Sequence, residues 1–223
     1  MKKFCIAVLL MCISFCNAQV IKNVGDFTEI KSAKGIKITL IPSDEAKVEI
    51  REVDEKSISL VNKKGRLVVK NTIKELIDGN TDIYVKVFYK NLEKIDAESG
   101  SLIENEKVFK TESIKISAKL GGHIRLKQMN AQEIIASLHT GGQITLSGTT
   151  EKLDVVNNSG SIFESRDLNA QKVEATINAG GTIDVKAIKS IIATTRAGGV
   201  ITIYGNPEIV KEKTTAGGVI KKK

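Results

Sequence analysis

The sequence contains no tryptophan, only two histidines and two prolines, and three cysteines that all fall within the first sixteen of its 223 residues. Each scarcity removes a class of function. Beyond Cys16 there is no thiol, so no disulfide framework, thiolate metal site or cysteine nucleophile is expected in the body of the chain. His123 and His139 are the only imidazoles, and their spacing supplies no third ligand, so neither a metal nor any other cofactor is expected. Aromatic residues make up 4% of the chain. No basic stripe interleaves with them, so nucleic acid is not an expected partner. No long Pro/Gly/Ser linker or low-complexity tract divides the sequence.

Only one long apolar run is present, residues 4–15. Lys2 and Lys3 precede it and Cys16-Asn17-Ala18 follow, so residues 1–18 read as a signal peptide with Gln19 opening the mature chain. The run is short for a membrane-spanning helix. An exported protein that is not transmembrane is expected: periplasmic, associated with the outer membrane, or secreted. Cys16 after Ile13-Ser14-Phe15 admits a lipoprotein reading, which the bulk of Phe15 disfavours. Removing Lys2 and Lys3 leaves 32 basic against 26 acidic residues over 205 positions. The charges are interspersed, the mark of a solvated surface that resists edge-to-edge association.

Against these absences stands one abundance, glycine at a regular interval. Gly121-Gly122, Gly141-Gly142, Gly160-Ser161, Gly180-Gly181, Gly198-Gly199 and Gly217-Gly218 begin 20, 19, 20, 18 and 19 residues apart. A period near twenty marks a coil that stacks on copies of itself. Seven residues before each first glycine stand Ile114, Ile134, Leu153, Val173, Ile191 and Val210. Five before it come Ile116, Ala136, Val155, Ala175 and Ala193, with Glu212 breaking the series in the last copy. Three after it stand Ile124, Ile144, Phe163, Ile183, Ile201 and Ile220, and five after it Leu126, Leu146, Ser165, Val185 and Ile203.

Apolar residues two apart on each side of a glycine pair are the pattern of half-buried strands meeting at a corner. One such unit buries too little to offset the entropy of ordering its backbone, and stacking in parallel register closes the gap. The expected fold is therefore all-β: a parallel, right-handed β-helix of about six to seven coils. The glycines could instead cradle a phosphate. Strand patterns rather than helix starts follow each pair, so they read as corners that need positive φ or close approach between coils.

Residues 19–95 lack the period but alternate in the same way, in Ile36-Lys37-Ile38-Thr39-Leu40, Val48-Glu49-Ile50, Ile58-Ser59-Leu60 and Ile83-Tyr84-Val85-Lys86-Val87. Pro42-Ser43-Asp44, Asn62-Lys63-Lys64-Gly65 and Asp78-Gly79-Asn80 separate them as turns, and residues 73–77 could form a helical turn. This section reads as a β-rich cap, either a small sheet or irregular first coils, over the regular coils of 96–223. Ser99-Gly100-Ser101 is an earlier copy of the corner.

The order of these parts resembles the family "Putative auto-transporter adhesin, head GIN domain", exported proteins common in Bacteroidetes. The resemblance rests on Asp26-Phe27-Thr28-Glu29-Ile30, on Leu92-Glu93-Lys94-Ile95 leading into Ser99-Gly100-Ser101, on the series of small-Gly-x-Ile corners, and on the closing Ile203-Tyr204-Gly205-Asn206-Pro207. It spans nearly all of residues 19–223. It implies a β-helical exported domain named an adhesin and brings no catalytic residues with it. No C-terminal membrane β-barrel is expected in this chain.

β-Helices also carry polysaccharide lyases and hydrolases, whose sites need grouped carboxylates. Four residues after each first glycine stand Arg125, Thr145, Glu164, Asp184, Thr202 and Lys221. Glu164 and Asp184 would be neighbours about 5 Å apart along the stack. The pattern reads as a solvated ladder whose repulsion Arg125 or Lys221 offsets, so no catalytic residue is assigned. A second outward column, two before each first glycine, is Lys119, His139, Asn158, Asn178, Arg196 and Thr215. Hydrogen-bonding side chains repeated along a flat face suit contact with a polymer such as a glycan, and they equally suit an amide ladder that shapes the turns. This column is the candidate binding site.

The sequence thus points to an exported, non-enzymatic envelope protein that binds a surface glycan or protein. The alternatives are a glycan-processing β-helix enzyme and a structural protein that self-associates through its open end near Val219 and Ile220.

Overall fold

A computed structural model describes residues 19–72 and 83–223. The signal-peptide reading, the possible helical turn over 73–77 and the turn at Asp78-Gly79-Asn80 lie outside the described residues. Within them, seventeen strands form one sheet that winds into a solenoid. The strands that follow the first corners are long: β10 spans Phe109–Lys119, β11 His123–His139, β12 Gln143–Asn157, β13 Ile162–Ile177 and β14 Thr182–Thr195. They stack in parallel, and the apolar series align residue for residue. Ile114 faces Ile134, then Leu153, Val173 and Ile191, while Ile124 faces Ile144, then Phe163 and Ile183. All of these side chains are buried. The expectation of a β-helix holds.

Each long strand bends around the core. In β11 the inside-outside alternation slips at Lys127-Gln128, where two consecutive residues are exposed, and again between Gln132 and Glu133. A strand whose alternation slips has turned a face, because side chains otherwise keep strict period two. One coil therefore has three faces. The first is His123–Leu126, the second Met129–Ala131 and the third Glu133–His139, with the glycine corner returning the third face to the next coil's first. A further inward column three residues before each first glycine, Ala118, Leu138, Asn157, Ile177 and Thr195, completes the core.

The corners divide the two tasks of the glycine pair. Leu120 and Gly121 have φ of 52° and 71°, and Gly122 N donates to Lys119 O at 2.9 Å, the geometry of a two-residue primed turn. Gly121 serves the left-handed φ, and a Cβ there would meet nothing closer than Gly100 N at 3.9 Å. Gly122 serves close packing: a Cβ would run into the Ala97 carbonyl of the preceding coil. Where serine replaces the second glycine, its hydroxyl is bound. Ser161 Oγ donates to Ser159 O at 3.1 Å, and Ser101 Oγ to Ser32 O at 3.1 Å.

Before the long strands come β1 (Gln19–Asn23), β2 (Glu29–Ala33), β3 (Lys37–Pro42), β4 (Lys47–Arg51), β5 (Ile58–Lys63), β6 (Arg66–Asn71), β7 (Tyr84–Tyr89), β8 (Lys94–Glu98) and β9 (Leu102–Asn105). The parallel ladders run past Ser99-Gly100 without a break. Strands β8 and β9 stack on β10 and β11, and β2 and β3 stack in turn on β8 and β9. Lys34-Gly35, both with positive φ, form the corner between β2 and β3. The chain then doubles back, and β6 and β7 pair in parallel with the opposite edges of β2 and β3. Antiparallel β5 covers β6, while antiparallel β4 covers β7 and β1 in turn covers β4. The N-terminal section thus combines the two forms expected for it, a first coil and a small antiparallel sheet. After β14, the last coil consists of β15 (Val200–Tyr204), β16 (Ile209–Thr214) and β17 (Val219–Lys222).

Candidate functional site

The polar column lies along one edge of the third face, next to the corners, because its members either end the strands that lead into them, as Lys119 and His139 do, or directly follow those strands. Parallel register sets them at the coil spacing, about 4.8 Å. The structure joins four of the six by side-chain hydrogen bonds. Asn158 Nδ2 lies 3.2 Å from His139 Nε2, Asn178 Nδ2 donates to Asn158 Oδ1 at 2.6 Å, and Arg196 Nη1 donates to Asn178 Oδ1 at 2.8 Å. The amide nitrogen can only donate, so as a hydrogen bond this contact uses Nε2 of His139 as the acceptor. Lys119 joins a different group: it pairs with Glu98 at 3.0 Å, and Lys31 holds the same carboxylate at 2.8 Å. Burial pushes the Glu98 carboxyl up, but its bonds to Lys31 and Lys119 outweigh burial and hold it below the usual range. Thr215 is exposed at the far end and is tied to Thr195 O through its backbone amide.

This ladder spends much of the hydrogen-bonding capacity that the sequence offered. Asn178 gives one N–H and its oxygen to neighbours and keeps one N–H, while Asn158 gives its oxygen to Asn178 and its amide N–H groups to His139 Nε2 and, at 3.5 Å, to Leu138 O. In exchange the rotamers are fixed. Beside the ladder runs a column of small side chains, Ser117, Ser137, Val156, Thr176 and Thr194, aligned coil to coil. It lies between the ladder and a further outward column, Lys115, Ile135, Asp154, Glu174 and Ile192.

The acidic pair differs from expectation in its counter-ion. Glu164 and Asp184 are neighbours in register, but neither Arg125 nor Lys221 bridges them. Arg125 turns the other way to Glu104 at 3.6 Å. Arg166 takes the role: its Nε and Nη2 reach Asp184 at 2.9 and 2.8 Å, and Nη2 lies 4.0 Å from Glu164. Its guanidinium also sits 5.6 Å from the centre of the Tyr204 ring. Asp184, then Tyr204, hold the Arg166 charge above its ordinary range. Column counting could not find Arg166, because it lies where the register slips between β13 and its neighbours.

A second acidic pair escaped the sequence reading. Asp154 and Glu174 face each other in register on the third face, and burial first, then Glu174, pushes the Asp154 carboxyl up. The histidines lie on opposite sides of a corner, as their spacing indicated. Burial, then Arg125, lowers the His123 pKa. Among the described residues no group of three or more His, Cys, Asp or Glu is placed to hold a metal ion, and no helix is long and apolar enough to cross a membrane.

Solved structures share this architecture. A putative adhesin from Bacteroides fragilis superposes with a TM-score of 0.84 at 20% identity, over 92% of this chain and 96% of that one. A putative lipid binding protein from Parabacteroides distasonis gives 0.72 at 20% identity over 92% and 96%. A putative adhesin from Parabacteroides merdae gives 0.68 at 16% identity over 92% and 95%. At these identities the likeness is one of fold. A search of curated proteins finds no match. The family model described as "Putative auto-transporter adhesin, head GIN domain" matches residues 26–207, from the Asp26-Phe27-Thr28 segment to the closing Asn206-Pro207, and the chain belongs to that family.

Proposed function

We propose that the protein is an exported, non-enzymatic binding module of the bacterial envelope that holds a surface glycan or protein against its third face. One observation carries this reading: His139, Asn158, Asn178 and Arg196 are joined by side-chain hydrogen bonds in register, beside a column of small side chains. A ligand that repeats along its length gains from a face that repeats along the solenoid, and fixed rotamers lower the entropic cost of contact. Membership of an adhesin family and the sequence of residues 1–18 support export and a binding role. Arg166 commits Asp184 to an ion pair, which leaves the enzymatic alternative without a specific observation in its favour.

The test is a screen of purified protein against glycans, envelope fractions and matrix proteins. Saturable binding that falls about tenfold in an Asn178→Ala, Arg196→Ala variant is expected, the loss of two ligand hydrogen bonds of ordinary strength. Absence of saturable binding across the screen overturns the proposal.

A further inference from the structure

The second face of the solenoid begins late. Its first rung is the start of β10, where Phe109, Lys110 and Thr111 pair with Met129, Asn130 and Ala131 of β11. The preceding coil supplies no strand to this face. Strand β7 ends at Tyr89 and β8 begins at Lys94, and β8 meets β10 only from Lys115 onward. The chain cuts the corner through residues 90–93, so the other edge of Phe109–Thr111 pairs with no strand among the described residues. Where a rung is missing, a solvent-open groove of about 690 Å³ remains. Asn91 and Glu93 form one wall, and Lys110, Thr111, Asn130 and Gln132 are among the residues of the other.

The chemistry of this groove is the reverse of the ladder's. No side-chain hydrogen bond engages the amides of Asn91, Asn130 or Gln132 among the described residues, and all three are exposed. Each keeps two donors and an oxygen acceptor for a ligand. No aromatic or aliphatic residue is among those that line the groove. A peptide added to the strand edge would therefore find main-chain partners along three residues and no pocket for a side chain, although pockets are what give strand addition its specificity. The carboxylates of Glu93 and Glu112 outnumber the single ammonium of Lys110, which disfavours a polyanion. Planar amides converging on a concave surface match the vicinal hydroxyls of a sugar, each of which both donates and accepts.

We propose that this groove is a binding site for a neutral oligosaccharide, held by Asn91, Asn130 and Gln132. It rests on the reading of the protein as a binding module and adds to the ladder face, which keeps its own surface ligand, a second and separate site for a short neutral sugar.

The experiment titrates the full chain with cello-, malto-, xylo- and chito-oligosaccharides by calorimetry, at low and high salt. At least one is expected to bind saturably with an affinity unaffected by salt, since a neutral ligand has no charge to screen. Asn130→Ala with Gln132→Ala should weaken it about tenfold or more, at an unchanged melting temperature. Asn178→Ala with Arg196→Ala should leave it intact. Binding lost with the ladder variant and kept by the groove variant overturns this site while preserving the broader function. No binding by any member, preference for sulfated or uronic chains, or capture of an extended peptide instead overturns the assignment to neutral sugar.

Discussion

The two ends of the solenoid are finished by different means. At the N-terminal end the ladders turn antiparallel, with β5 laid on β6, β4 on β7 and β1 on β4. These strands bring apolar side chains into the common core: Val48 and Ile50 of β4 are 0% and 1% exposed. At the other end the inward columns change chemistry instead. Glu212 continues the series Ile116, Ala136, Val155, Ala175, Ala193, and Lys222 continues the series ending in Ile203. The two meet in an ion pair of 2.9 Å between β16 and β17. One end is covered by backbone and apolar packing, the other by charges that no apolar neighbour would welcome. Backbone cover adds to the cooperative core, whereas a surface ion pair adds little stability and discourages association.

The largest effect that can break this comparison is a charge placed in the N-terminal cover. Val48→Asp should cost about 4 kcal/mol or more, because an unpaired carboxylate would be buried in the shared core. The same change at partly buried Val210 in the last coil should cost about 1 kcal/mol or less, since water reaches that position. Denaturant midpoints of the two variants decide it. Equal losses would mean that the ends are energetically alike.

Between the ends, the corners determine how tightly coils can approach. Gly142→Ala drives a Cβ into the Ala118 carbonyl, and Gly141→Ala meets open space but keeps a φ of 71°. About 3 kcal/mol is expected for the first, from overpacking against backbone, and about 1 kcal/mol for the second, from the left-handed conformation. The reverse order in thermal unfolding would refute the division of tasks within the pair.

The smallest stability change belongs to the charged end. Replacing Glu212 and Lys222 together with leucine should alter monomer stability by less than about 1 kcal/mol. Sedimentation should nevertheless show concentration-dependent association, because the exposed strands would then present a continuous apolar column. A variant that stayed monomeric at every concentration would show that the ion pair has no protective role.

Much of this architecture was legible in the sequence because repetition makes each column its own control. Ile124, Ile144, Phe163 and Ile183 recur at one offset from the glycine, and the structure stacks them at that offset. The N-terminal order was not legible. Strands β2 and β3 find their partners β8 and β9 about 65 residues later, and their corner carries Ile36 where later corners have a second small residue. The polar column was legible as a column, but its internal hydrogen bonds were not, since they depend on rotamers that only neighbouring coils select. The groove beside β10 was invisible for another reason: it arises from a strand that the chain omits, and an omission leaves no motif.

The place of β2 and β3 in the stack bears on how the molecule comes into being. Because they lie between β6 and β7 on one side and β8 and β9 on the other, everything up to Asn105 can assemble around them before β10 exists. Each later coil then needs only the coil before it as a template. A ribosome delivers the chain in that same order. Growth of the solenoid and synthesis of the polypeptide run in one direction, so each coil that follows β9 finds its template already made.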